Sequence, residues 1–168
     1  MLRVTQATTD EAPLVYSIMV ESLEEYRGVL KPPSGVFRET PADVRAAMAK
    51  GGAFLAWWGV LLTGSARYRF ERDHVYVGRV SVLPAYRGRG VATALMQAIE
   101  PRAQAAGFRR LRLGVRLILD SNIRLYERLG YLVVSVQEHE KGGRWWCSWR
   151  SGCSAGLFRG SARRALCF

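Results

Sequence analysis

Cysteine and histidine are scarce in this chain, with three and two among 168 residues. Cys147, Cys153 and Cys167 match no zinc spacing, so no metal site is expected. An odd number of cysteines without a secretory leader points to reduced thiols rather than a disulfide framework. Long apolar runs are also missing. The longest, residues 53–62, has about half the length that a membrane-spanning helix needs. The start, Met1-Leu2-Arg3-Val4-Thr5-Gln6, has no apolar signal segment. A cytoplasmic location and no membrane partner are therefore expected. There is neither an internal repeat nor a long linker. The length suits one domain, and 49% hydrophobic residues is ample for its core.

Acidic residues are absent beyond Glu140, which helps to make the net charge +11. Such an excess suits nucleic acid, but its distribution argues for a different partner. Residues 1–78 are balanced, with nine basic and nine acidic side chains. Residues 79–128 carry ten arginines against Glu100, Asp120 and Glu127. No basic motif interleaved with aromatics and no helix-turn-helix accompanies them, so nucleic acid is not expected. A polyanionic cofactor accounts for an excess in that half.

The same half holds the most informative string, Arg79-Val80-Ser81-Val82-Leu83-Pro84-Ala85-Tyr86-Arg87-Gly88-Arg89-Gly90-Val91-Ala92-Thr93. It reads as a strand, a turn and a helix start. Free amides at a helix N-terminus, together with the helix dipole, attract anions. Glycine lets a phosphate approach the backbone, and Arg87 and Arg89 offer charged donors. A Walker loop is excluded because no Gly-x-x-x-x-Gly-Lys-Ser/Thr exists. A dinucleotide fingerprint is disfavoured because Thr93 stands where the third glycine belongs. The pattern Arg/Gln-x-x-Gly-x-Gly/Ala fits Arg87-Gly88-Arg89-Gly90-Val91-Ala92 at every defined position.

That segment resembles the coenzyme A pyrophosphate loop of the GNAT N-acetyltransferase superfamily. A second string, Leu125-Tyr126-Glu127-Arg128-Leu129-Gly130-Tyr131, is similar to the late helix of the same family. The resemblance implies a mixed α/β domain. Its central twisted mixed sheet has six to seven strands, is flanked by helices, and splays between strands four and five. It implies acetyl-CoA as cofactor, with residues 87–93 (Arg87, Gly88, Arg89, Gly90, Val91, Ala92 and Thr93) on the pyrophosphate and the backbones of Val80 and Val82 on the pantetheine arm. Tyr126 matches the family's general acid. Leu119 stands where many members carry a cofactor-binding asparagine, and Asn122, the nearest asparagine, is carried as a site candidate that also suits a helix cap.

The periodicity supports this organisation. Strands are expected at 2–7, 53–58, 61–70, 74–82, 111–117 and 132–138, with 144–149 the candidate for a seventh. The first helix should bury Leu14, Ile18 and Leu23. Thr40-Pro41 should cap a second that Gly51 stops. Val91, Leu95 and Ile99 give a third an apolar face, which Pro101 should interrupt. Residues 1–150 form the expected domain, and 151–168 an atypical tail.

Transfer to a primary amine also requires an acceptor wall and a base. Glu24, Glu25, Tyr26 and Phe37 are candidate wall residues, whose acids would suit a cationic amine. Glu71, Asp73 and His74 stand near the fourth strand, but none is assigned as base. The acceptor is a small-molecule or peptide amine, and a homodimer stays open. A catalytically idle acyl-CoA-binding module is the alternative function.

Overall fold

The computed structural model describes residues 1–116, 120–138 and 144–151. Leu119 and the tail from 152 onward lie outside the described residues. Strand β1 (Leu2–Ala7) precedes helix α1 (Ala12–Leu23). The buried face of α1 is Ala12, Val15, Ile18, Met19 and Ser22. Leu14, expected inside, is 39% exposed. The stripe runs from Val15 at i, i+3, i+4 and i+7; Ile18 is buried as expected, and Val15 takes the place expected of Leu14.

Helix α2 (Pro41–Met48) begins as its sequence dictates. The Asp43 amide donates to Thr40 Oγ1 at 3.2 Å, and the Thr40 amide donates to Asp43 Oδ2 at 2.8 Å. This reciprocal arrangement is a capping box. The helix ends before Gly51, which opens strand β2 (Gly51–Trp58) instead. A Cβ at Gly51 would lie 2.2 Å from the Tyr68 carbonyl oxygen, so strand pairing demands glycine there.

Strands β3 (Leu61–Phe70) and β4 (Val75–Val82) complete an antiparallel run. Helix α3 (Val91–Ala105), β5 (Arg110–Arg116), α4 (Asp120–Arg128), β6 (Leu132–Glu138) and β7 (Arg144–Ser151) follow. Pro101 does not interrupt α3. It lies on the exposed side, as does Gln97, the residue whose carbonyl loses its donor, so water can serve that group.

The sheet order is β1-β2-β3-β4-β5-β7-β6, so β7 inserts between β5 and β6. One face packs Val15, Met19, Val44, Met48, Ala53 and Leu55 under α1 and α2. The other packs Tyr68, Val75, Val77, Leu111 and Leu113 against Val91, Leu95 and Ile99 of α3 and Tyr126 of α4.

Two irregularities in β4 set up the site. Arg67 pairs with Gly78 and Ser65 with Ser81, so Arg79 and Val80 together face Ala66. This is a β-bulge, and Arg79 adopts φ 52°, a left-handed conformation rare outside glycine. Parallel pairing of β4 with β5 covers only Val75, Tyr76 and Val77 against Leu111, Arg112 and Leu113. The two strands part beyond that point, and the distal half of β4 offers an edge that β5 does not cover.

Candidate active site

The fork between β4 and β5 opens into a cleft of about 440 Å³, bounded by the end of α1, the distal half of β4, the start of α3 and one side of α4. Val80, Val82, Arg87, Gly88, Gly90, Val91, Ala92, Thr93, Asn122 and Tyr126 all line it. Arg89 does not.

The loop presents its main chain. Gly88 and Gly90 have φ of 71° and 81°, which glycine adopts without strain. The Ala94 amide donates to the Gly90 carbonyl at 2.9 Å and begins the helical ladder. Among the described residues, no backbone oxygen accepts from the amides of residues 88–93. They sit at the positive end of the α3 dipole. A Cβ placed on Gly88 or Gly90 would meet nothing within 4 Å, so the space above the loop is open. Consecutive unpartnered donors beneath open space fit a diphosphate.

Gly64 of β3 fixes the height of this helix end. A Cβ there would lie 2.9 Å from both the Ser81 carbonyl oxygen and Val91 Cγ1, and 3.3 Å from Leu95 Cδ1. Glycine allows the first turn of α3 to rest directly on the sheet. The sequence offers no cue to this role, because the contact joins residues far apart in the chain.

The β4 edge is aimed by alternation. The Leu83 amide donates to the Thr63 carbonyl at 2.9 Å, so the main-chain groups of Val82 point the other way, toward the fork. Val80 belongs to the bulge and lines the same cleft.

The two loop arginines serve the fold. Arg87 Nη2 donates to the Ser22 carbonyl at 2.8 Å, its Nη1 pairs with Glu25, and its Nε donates to the Val82 carbonyl at 3.3 Å. It ties α1 to the exit of β4. The Arg89 guanidinium lies 5.9 Å from the Trp58 ring and 5.5 Å from the Tyr86 ring, where cation–π attraction holds it outside the cleft. Both were expected as anion donors; Arg87 borders the cleft while making these contacts, and Arg89 rests on the two rings.

Tyr126 is 6% exposed and meets Tyr131 edge-on at a ring separation of 5.8 Å. Burial raises its phenol above the usual tyrosine range, with Tyr76 adding to the shift, so the group stays protonated. The end of α4 is locked by two bonds, Tyr131 amide to Tyr126 carbonyl and Gly130 amide to Glu127 carbonyl, both 2.9 Å. With Gly130 at φ 82° this is a Schellman cap, which fixes the turn bearing Tyr126. Asn122 lies inside the first turn of α4, and Asp120 rather than Asn122 begins the helix.

The expected acceptor wall takes another form. Glu24 pairs with Arg27 at 2.7 Å and Glu25 with Arg87, so both carboxylates are neutralised within the protein. The Phe37 ring lies 4.0 Å beneath the Arg27 guanidinium, and Tyr26 lines the cleft at α3. Near the start of β4, Glu71 pairs with Arg69, and Asp73 with His74 and Arg110. These are turn contacts. Ser22, Leu23, Ser121, Leu125 and Arg128 also line the cleft, and none of them was a site candidate by sequence.

The family model of the Acetyltransferase (GNAT) family matches residues 16–131. The chain belongs to that family. It is an acetyl-CoA-dependent N-acetyltransferase by that membership. No curated protein matches the sequence significantly. Solved structures share the fold at low identity. Ard1 from Thermoplasma volcanium is 19% identical, covering 91% of this chain and 99% of its own, with a TM-score of 0.74. The yncA protein of Salmonella typhimurium, solved with acetyl-CoA, is 16% identical over 96% of this chain and 99% of its own, at 0.69. The paia N-acetyltransferase of Thermoplasma acidophilum, solved with coenzyme A, is 13% identical over 90% and 99%, at 0.72. No helix among the described residues is long and apolar enough to cross a membrane.

Proposed function

We propose that this acetyltransferase moves the acetyl group directly to a primary amine, with the amides of residues 88–93 holding the cofactor diphosphate, the β4 edge at Val80 and Val82 holding the pantetheine arm, and Tyr126 supplying the proton for the departing sulfur. The observation that carries this reading is one cleft in which unpartnered helix-start amides, an uncovered strand edge and a buried protonated phenol meet.

Acetyl-CoA supplies an activated thioester. The protein's share is placement. Main-chain donors are fixed by the sheet and the helix and need no reorganisation when charge arrives. Arg87 holds the loop in position through Ser22, Glu25 and Val82, so its part is in positioning. Asn122 and Ser121 of α4 border the same path. A neutral acceptor nitrogen bonds to the thioester carbonyl carbon and the carbon–sulfur bond breaks. With acetyl-CoA bound, Tyr126 would give its proton to the departing sulfur, and the surplus proton of the nitrogen would return to the phenol through water. Burial keeps the phenol in its protonated form through the neutral range.

A thermal-shift titration with acetyl-CoA, followed by thiol release with a panel of amines, tests the reading. A raised melting temperature and amine-dependent thiol release are expected. Binding without thiol release from any amine would instead favour an idle acyl-CoA-binding module.

A further inference from the structure

On the other side of β4 lies a second concavity of about 570 Å³. Lys50, Arg67, Arg69, Tyr76, Arg79 and Gly114 line it. Asp43, the acid in its lining, is engaged in the cap of its own helix through Thr40, at 2.7 and 2.8 Å. Two further carboxylates reach the groove's arginines: Glu71 pairs with Arg69, and Glu39 pairs with Arg67 and Arg79. Glu39 Oε2 lies 2.8 Å from Arg67 Nη2, and its Oε1 accepts from Arg79 Nε at 2.9 Å and Nη2 at 2.6 Å. Two guanidinium groups therefore share a single carboxylate. Arg67 is the more enclosed, its side chain 13% exposed, and its Nη1 is buried without a hydrogen-bond partner among the described residues. A buried charged donor left unpaired is costly. An anion in the groove would satisfy it.

The groove adjoins the transfer site. Tyr76, Gly78 and Arg79 line the groove, while Val80, Ser81 and Val82, the next residues of β4, line the cofactor cleft. The bulge at Arg79 and Val80 is the boundary between them.

We infer that the acceptor is an amine that also carries an anionic group, a carboxylate or a phosphate, and that Arg67 and Arg79 bind that group in this groove. The inference rests on the transfer reading above. It also bears on the missing base. Nearby guanidinium charges disfavour the ammonium form, so an amine seated there loses its proton to water more readily. A purely cationic acceptor would meet repulsion in the groove, and Glu24 and Glu25 are already spent.

Calorimetric titration of the full chain, with coenzyme A present to fill the loop, compares two pairs: glycine with glycinamide, and phosphoethanolamine with ethanolamine. The charged member of at least one pair should bind about tenfold tighter or more, as charge-assisted bidentate contacts warrant. The pair that shows the preference identifies the anion. Arg67→Met should abolish it. Arg79→Gly should do the same, and it suits the left-handed backbone at that position, so it keeps the test readable if Arg67→Met fails to fold. Equal affinities within both pairs, or a preference that survives both substitutions, overturns the inference. Loss of coenzyme A binding alone would overturn the transfer reading, while the same titration without coenzyme A still reads the groove through its dependence on Arg67.

Discussion

The cleft beyond β4 and the groove on its other side both present hydrogen-bond donors, but they make them from different material. The cleft uses main-chain amides of consecutive residues, 88–93, at the start of α3. The groove uses side chains of Arg67 and Arg79, borne on two strands and joined by Glu39 from outside the sheet. Main-chain donors have fixed direction and no rotamer freedom. Guanidinium donors carry full charge but depend on neighbours to hold them. A cofactor of constant shape suits the first, and a recognition element that differs between acceptors suits the second.

The largest expected effect is within the cleft itself, at Tyr126. Tyr126→Phe removes the proposed proton donor and leaves both donor sets in place. It should lower kcat about 100-fold, the low end for a lost general acid, with acetyl-CoA affinity nearly unchanged. Steady-state kinetics beside a binding titration checks this, and an unchanged kcat removes Tyr126 from the mechanism. No alkaline loss from ionisation of this phenol should appear within its ordinary titration range, because burial raises its pKa.

Gly90→Val attacks the main-chain set. The left-handed φ of 81° strains a β-branched residue, and the new side chain occupies the open space above the amides. Loss of two phosphate-type bonds corresponds to about 100-fold in acetyl-CoA affinity. The ligand-induced rise in melting temperature should vanish, while amine-side binding in the groove should persist. Gly64→Ala tests the same set from beneath. A methyl 2.9 Å from Ser81 O and Val91 Cγ1 must push α3 off the sheet, at a cost of about 1–3 kcal/mol measured by chemical denaturation. Its effect on the groove should be small.

The smallest effect belongs to the groove's own wall. Bonds from Thr40 hold the Asp43 carboxyl below its usual pKa. Its contribution to stability is therefore present above the ordinary carboxylate range and disappears as pH falls through the lowered value. Asp43→Asn should slightly lower the melting temperature at neutral pH and flatten its acid dependence, since the site is exposed.

The contrast also explains what could be read from the chain. The loop is legible because its donors are neighbours in sequence, so Arg87-Gly88-Arg89-Gly90-Val91-Ala92 carries the whole pattern. Helix ends were legible for the same reason, as Thr40 with Asp43 and Gly130 with Tyr131 show. On the inward face of α1 only Leu14 departs from expectation, because Leu14 and Val15 are both apolar and only packing chooses between them. The occupation of Arg87 by Ser22 and Glu25 spans more than sixty residues and leaves no local mark. The groove was illegible on the same ground. Glu39, Arg67 and Arg79 acquire meaning only once the bulge brings them to one carboxylate.

The sheet order has a further consequence, for how the protein is made. The strand synthesised last of the seven sits between two made before it, so β6 has no strand partner until β7 has emerged from the ribosome. Until then β5 and β6 expose unpaired backbone edges, a state prone to misassociation. Stop codons placed just ahead of residue 144 should therefore yield insoluble product rather than a trimmed enzyme.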